Sequence, residues 1–169
     1  MPEIKPTVFG VDAGAYRLSG GMLRALDELL DASGIGELFK PGEHVGIKIN
    51  IGQLGNIKYL RPVFIRAIVE KVLELGGTPV IFDTVGMVGN TLKGPNDWFY
   101  TAAVNGFSGA LLGKEIIPAD GYTGEEGELL PVEGDELGGI EVARGVVDTS
   151  AMIMVSHVTG HPHYGMNGA

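Results

Sequence analysis

The stretch His44–Gly52 constrains the fold of this chain more than any other part of its sequence. Positions 45, 47, 49 and 51 all carry β-branched residues, and the residues between them are short or polar. Such a pattern is typical of a strand that is buried on both faces of a sheet. We therefore predict a buried central strand over this stretch.

Lys48 and Asn50 break the apolar pattern close to the end of this strand. A buried strand offers few favourable places for an ammonium group or a primary amide. In an open parallel sheet, however, groups at the carboxyl ends of the strands point into the crevice where ligands bind. Both residues are therefore candidates for a site. A structural interpretation stays open beside this one, in which Lys48 extends into solvent and Asn50 caps the following loop.

A second strand follows the first through a single helix, which indicates a βαβ unit. The helix is predicted over Pro62–Leu75, where two glycines end it, and the strand over Thr78–Asp83. Strands joined in this way lie parallel, with a right-handed connection. We predict an α/β fold, a Rossmann-like three-layer sandwich with a mostly parallel sheet. Lys48 and Asn50 would then lie at the same edge of the sheet as Asp83.

Shorter patterns predict the remaining elements. They are a first strand at Thr7–Val11, a helix at 22–33 capped by Ser19, a glycine-rich loop at Thr84–Asn96, a helix ending at Val104, and strands at Ile116–Gly121 and Ile140–Arg144. Trp98 is predicted to anchor the helix that ends at Val104 in the core. The acidic segment Gly121–Gly139 is predicted to be a solvated surface excursion, because its carboxylates fit no calcium-loop spacing.

Composition and charge exclude several classes of function. The net charge of −9 argues against nucleic acid or an anionic membrane as the main partner. The absence of cysteine excludes a disulfide, a thiol nucleophile and any iron–sulfur cluster held by this segment. No Walker loop, nucleophile elbow or dinucleotide-binding glycine motif is present. With no signal-peptide core and no membrane-spanning apolar run, we expect one cytoplasmic domain over residues 1–169.

The stretch Ala151–Val155 is apolar throughout, which predicts a last strand that is buried on both faces. Ser156 follows at once, and three of the chain's four histidines, His157, His161 and His163, fall in the next few residues. If this strand is a parallel neighbour of the first two, its end delivers these side chains to the same crevice.

The predicted site combines seven side chains, namely Lys48, Asn50, Asp83, Ser156, His157, His161 and His163. Imidazole and carboxylate groups bind divalent transition metal ions, and imidazoles also transfer protons near neutral pH. One interpretation is therefore a metal ion on His157, His161 and Asp83. Lys48, His157 and His161 are the catalytic candidates, and a lysine there would neutralise a small anionic molecule. The remaining ligand-binding candidates are Asn50, Asp83, Ser156 and His163. Histidine-rich turns also occur without any ligand, and that alternative stays open.

Ordered blocks of the sequence resemble the family called domain of unknown function 362. They are Gly46–Gly52, Leu60–Pro62, Gly76, Val80–Thr84, Asn105–Phe107, Ala119–Gly121, Ser156–His161, Gly165 and Gly168–Ala169. Members are commonly labelled iron–sulfur cluster-binding proteins, because many carry a ferredoxin-like module with cysteine clusters after this domain. The resemblance therefore implies a redox-associated protein with a ferredoxin-like module or protein as its partner.

The chain departs from the family pattern in two places. Thr159 stands where the family usually has a lysine, which weakens any scheme that uses a lysine there. The sequence also stops at Ala169, where the family continues into a lysine–asparagine pair and later cysteines. We expect either a truncated chain or a split gene that ends before the ferredoxin-like module, as the N-terminal part of a longer architecture.

The layout is also similar, more remotely, to the N-terminal domain of the nickel-pincer lactate racemase family. The shared features are a strand, a loop whose Arg61 and Pro62 open a helix, a glycine turn and histidine-bearing elements. This kinship implies a crevice for a nucleotide-derived nickel cofactor or its phosphate, with histidines acting on a hydroxy acid. Of that family's Asp-x-Thr-Arg-Pro phosphate motif, only the arginine and proline are present.

Three functional hypotheses follow. In the first, the chain is an α/β domain of a redox-associated protein that binds a small anionic ligand or a metal at the strand carboxyl ends. In the second, it is a non-catalytic docking or scaffold module for an iron–sulfur, ferredoxin-like partner, with Gly121–Gly139 as the contact surface. In the third, its C-terminal strand pairs with a second copy to give a homo-oligomer.

Overall fold

A computed structural model describes residues 7–12, 21–85, 95–133 and 138–168. Its strands are β1 (His44–Lys48), β2 (Thr78–Asp83), β3 (Ile116–Pro118), β4 (Gly127–Pro131), β5 (Gly139–Ala143), β6 (Ala151–Met154), β7 (Thr159–His161) and β8 (Gly165–Asn167). Four of them form one sheet in the order β3-β2-β1-β6, and every neighbouring pair is parallel. The predicted parallel sheet is confirmed, and so is the βαβ unit at its centre.

Helices flank this sheet. They are α1 (Gly21–Ala32), α2 (Pro62–Glu74), α3 (Pro95–Val104), α4 (Gly109–Leu112) and α5 (Arg144–Val147), with one 3-10 turn at Ile35–Glu37. α2 begins at a proline, whose fixed φ suits the first helical turn, and the chain turns away at Gly76, where φ is 83°. The arrangement confirms the predicted α/β, Rossmann-like sandwich. Within the described ranges, no helix has both the length and the apolar composition needed to cross a membrane.

The core lies around β1, which has a parallel neighbour on each side. Ile47 pairs in register with Ile81 of β2 and with Ile153 of β6. Val45 and Ile47 have no exposed surface, and neither has Ile65 on α2. Burying one such side chain contributes about 1.5–3 kcal/mol. The packing therefore fixes where the strands end, and with them the polar residues that follow.

Trp98 anchors α3 in the core, as predicted. Its side chain is completely buried. The indole Nε1 donates a hydrogen bond to the carbonyl oxygen of Thr84 at 3.0 Å. This contact ties α3 to the residue that follows β2.

β6 differs from the prediction because it is the edge strand of the sheet. Ala151 and Ile153 pack against the core, whereas Met152 and Met154 are 38% and 50% exposed. The prediction that this strand is buried on both faces is therefore wrong. An apolar run indicates a strand, but its burial depends on neighbours that the run does not encode.

Peripheral segments show further differences. Residues 7–12 form no strand, so the predicted first strand is wrong. The acidic segment contains β4, which pairs antiparallel with β5 and forms a separate hairpin. A second hairpin, of β7 and β8, was not predicted at all. Ser19, residues 86–94 of the predicted loop and residues 134–137 of the acidic segment lie outside the described residues.

Candidate functional site

The carboxyl ends of β1 and β2 bring Lys48 and Asp83 together. The Nζ atom of Lys48 lies 3.8 Å from Oδ1 of Asp83. Asp83 also accepts hydrogen bonds from the backbone N–H groups of Thr84, at 2.9 Å, and Ile51, at 3.0 Å. Burial raises the pKa of this carboxyl above its usual value, although the Ile51 hydrogen bond and the Lys48 charge oppose the shift. The Asp83 side chain therefore joins the ends of two strands.

The loop after β1 is held in one shape by polar contacts and by close packing. Asn50 accepts a hydrogen bond from the Gly52 N–H at 2.8 Å. It therefore caps this loop, as one of the two interpretations of the sequence predicts. The buried Asn105 donates through Nδ2 to the Ile51 carbonyl at 2.7 Å. Gly52 has a φ of 76°, and a methyl group there would lie only 2.9 Å from the Tyr59 ring. This position therefore requires glycine.

A crevice of about 380 Å³ opens beside this loop. One wall is the loop itself, which contributes Asn50, Asn56 and Lys58. The other wall is the segment after β6, which contributes Ser156 and His157 together with residues of β7 and β8. The parallel pairing of β1 with β6 thus brings three of the predicted site residues, Asn50, Ser156 and His157, into one crevice.

The lining of this crevice is polar and free of carboxylates. None of the thirteen described residues that line it is acidic, although the whole chain carries 21 acidic and 12 basic residues. Lys58 and His157 are the lining residues that can carry a positive charge. The Nδ1 atom of His157 lies 3.4 Å from the carbonyl oxygen of Lys58, a contact that links the two walls. Such a lining favours an anion over a cation.

The structure separates the three clustered histidines. His157 is among the described residues that line the crevice, and His161 and His163 are not. The Nδ1 atom of His161 accepts hydrogen bonds from the backbone N–H groups of His163, at 3.2 Å, and Tyr164, at 3.3 Å. Its ring also stacks on Tyr164, with centroids 4.8 Å apart. These contacts hold the turn between β7 and β8.

A three-residue metal centre is not formed in the described part of the chain, where no three His, Asp or Glu side chains are grouped closely enough to hold an ion. Asp83 contacts Lys48 and two backbone N–H groups, and the Nδ1 atom of His161 is engaged in its own turn. The metal interpretation of His157, His161 and Asp83 therefore stays a prediction from the sequence.

Sequence reasoning missed several lining residues, above all Lys58, Tyr59 and Thr159. Lys58 and Tyr59 lie in an irregular loop, and Thr159 opens the short strand β7 that was not predicted. Their position in the sequence could have identified them, because residues that follow a buried parallel strand lie at the same edge of the sheet as the end of that strand. Applied to residues 52–60, this rule would have included Lys58 among the candidates.

Fold and site together define an α/β domain with a parallel sheet and a polar crevice at the carboxyl ends of its strands. Residues 45–169 match the family model described as Domain of unknown function (DUF362), and the chain belongs to this family. The family membership that the sequence blocks indicate is therefore confirmed. No curated protein and no solved structure matches the chain. The iron–sulfur association and the truncation stay predictions.

Proposed function

We propose that this chain binds a small anionic molecule in the crevice between the loop after β1 and the segment after β6. The observation that carries the proposal is a carboxylate-free polar lining in a chain of net charge −9. The local field depends on nearby groups, so an acidic protein attracts an anion where carboxylates are absent and cations line the wall. Lys58 supplies the cationic group, and His157 adds an imidazole to the same lining.

Hydrogen-bond donors complete the proposed site. Ser156 and Thr159 each bring a hydroxyl group to the lining. Asn50 binds Gly52 through Oδ1, which leaves its Nδ2 group as the donor toward a ligand. α2 starts directly after the crevice loop, so the partial positive charge of its amino end lies at the same edge of the sheet. Donors of this kind suit the oxygens of a carboxylate or a phosphate.

Lys48 and Asp83 act in this proposal as positioning residues. Their contact, and the hydrogen bond from Ile51 to Asp83, hold the start of the crevice loop in place. A loop that is already ordered loses less conformational entropy when a ligand binds. His157 is the proposed proton donor or acceptor, because imidazole is the side chain best suited to proton transfer near neutral pH.

The test measures the anion affinity of the whole chain and of two lysine variants. Acetate and inorganic phosphate are the probes, and binding is followed through the chemical shifts of backbone amides. Lys58→Gln keeps hydrogen-bonding capacity and removes the charge, so we expect affinity to fall about tenfold. Lys40→Gln, which changes an exposed lysine outside the crevice, should bind as the unaltered chain does.

Two results would contradict the proposal. Unchanged affinity in Lys58→Gln would show that the crevice lysine does not contact the anion. Equal losses in both variants would indicate a diffuse attraction to lysines in general. In either case the shifted amides should map away from Ser156 and His157, which gives an independent readout.

A further inference from the structure

An apolar groove of about 260 Å³ lies next to the crevice, between α1 and α2. Eight of the nine described residues that line it have apolar side chains, and Ser156 is the exception. Leu26 and Leu29 come from α1, and Phe64 and Ile68 come from α2. The groove therefore offers mainly apolar surface, and Ser156 is the one polar side chain among the described residues of its lining.

The groove and the crevice are adjacent. Leu60, Val155 and Ser156 line both of them. Val155 is fixed at this junction because its backbone N–H donates to the Lys48 carbonyl at 2.9 Å, beside the end of β1. The polar crevice, whose lining includes Lys58, and the apolar groove thus meet at three shared residues. Together the two cavities fall within the size range of small-molecule sites, roughly 300–1,000 Å³.

We infer that the ligand is an amphiphile, with one anionic head group in the crevice and an apolar chain in the groove. This inference rests on the function proposed above and adds the chemical class of the ligand. The head is a carboxylate or a phosphate, held by Lys58 and the neighbouring donors. The chain covers apolar surface that is now in contact with water, including Met22, which is 41% exposed, and Val11, which is 37% exposed.

A single-chain amphiphile fits these observations better than a second copy of the protein. Two chains of net charge −9 repel each other, whereas a monoanion of small size meets a lining without carboxylates. The apolar surface also ends where the polar crevice begins, which matches a molecule that is apolar at one end only. The structure therefore favours one small ligand that spans both cavities.

The test is a titration series with straight-chain carboxylates, from acetate to octanoate, at concentrations below micelle formation. Each added methylene that enters the groove should tighten binding roughly fourfold until the groove is filled. Met22→Glu should abolish this dependence on chain length while acetate still binds, and Met22→Gln should weaken it without adding charge. Leu38→Glu changes an exposed apolar residue that lines neither cavity, and it should leave the series unchanged.

The outcomes separate this inference from the proposal on which it rests. Equal affinity for acetate and octanoate, reduced in Lys58→Gln, would keep the anion site and overturn the amphiphile. Octanol binding as tightly as octanoate would overturn it too, because the head group would then contribute nothing. Co-sedimentation with vesicles of phosphatidylcholine and phosphatidylglycerol, without binding of free octanoate, would assign the groove to a lipid surface. Absence of binding by every probe would overturn both proposals.

Discussion

Two regions of the molecule use lysine in opposite ways. At the seam between α1 and α2, Lys71 is only 5% exposed, and its Nζ atom lies 2.6 Å from Asp27, 3.0 Å from Asp31 and 3.4 Å from Glu74. In the crevice, Lys58 is exposed, and the described residues give its ammonium group no carboxylate partner. The first lysine joins two helices. The second is available to a ligand.

The difference shows how an acidic chain can still hold an anion site. Hydrogen bonds from the Lys71 ammonium to Asp27 and Asp31 raise the pKa of this group, so it keeps its charge throughout the physiological range. Its charge is neutralised within the seam and exerts little field elsewhere. A lysine contributes to binding where the fold has kept carboxylates away, which is the case at Lys58. Variants in the seam should therefore change stability alone, and variants in the crevice wall should also change binding.

The largest effect is expected at the glycines of the crevice loop. Gly52 and Gly55 both have positive φ, 76° and 80°, so alanine at either should cost about 1 kcal/mol of stability. At Gly52 the added methyl group would also lie 2.9 Å from the Tyr59 ring and 3.1 Å from Nδ2 of Asn105. Overpacking of this kind costs about a further 1–2 kcal/mol. Gly55 has nothing within 4 Å and is the matched control.

Urea unfolding, followed through the fluorescence of the single tryptophan, measures this difference. We expect acetate affinity to fall in Gly52→Ala and to stay unchanged in Gly55→Ala. Equal losses of stability in the two variants would mean that the loop can move aside, and the crevice would then not be preformed.

A smaller effect on stability is expected at the seam. Lys71→Met keeps the length of the side chain and removes three ion contacts, and we expect a loss of about 1–2 kcal/mol. The loss is limited because the carboxylates are 55–70% exposed and solvent screens them. The difference in stability between this variant and the unaltered chain should shrink in 1 M salt. Acetate affinity should not change. A fall in affinity would show that the seam and the crevice are coupled.

The smallest effect is the pH dependence that Asp83 imposes. Because burial raises the pKa of this carboxyl, the folded state keeps its proton to a higher pH than the unfolded state, whose value is about 3.9. In that interval the folded state binds more protons, so stability falls as pH rises from about 4 through the raised folded pKa. Asp83→Asn removes the titration. The stability difference between the two proteins should therefore change with pH in this interval. A constant difference would show that the pKa of Asp83 is not raised in the folded state.

The central unit of the fold could be read from the sequence because local and long-range signals agree there. β1, α2 and β2 carry clear periodicity, a first-turn proline and a terminating glycine, and each is present within a few residues of its predicted bounds. Residues 7–12 carry a short apolar stretch but form no strand. Such a stretch is compatible with a strand, but it cannot supply the partner strand that a sheet requires.

The site could be predicted only as far as it depends on strand ends. Asn50, Ser156 and His157 lie within three residues of a strand end, and the sheet topology brings them together. Lys58 lies in irregular chain, where no periodic pattern places a side chain. The spacing of His161 and His163 groups them with the site, but neither is among the described residues that line the crevice, and Nδ1 of His161 accepts a hydrogen bond within the β7–β8 turn. That hairpin has short strands with few β-branched residues, so it gives little sequence signal.

The contact between His157 and Lys58 joins positions 99 residues apart in the chain. During synthesis, the first wall of the crevice emerges long before the second, and neither can bind a ligand by itself. Closing so large a loop by parallel pairing is intrinsically slow, so assembly of the crevice belongs to the late steps of folding. A molecule that requires both walls would bind the completed fold alone and shift the equilibrium toward it, in the manner of a pharmacological chaperone.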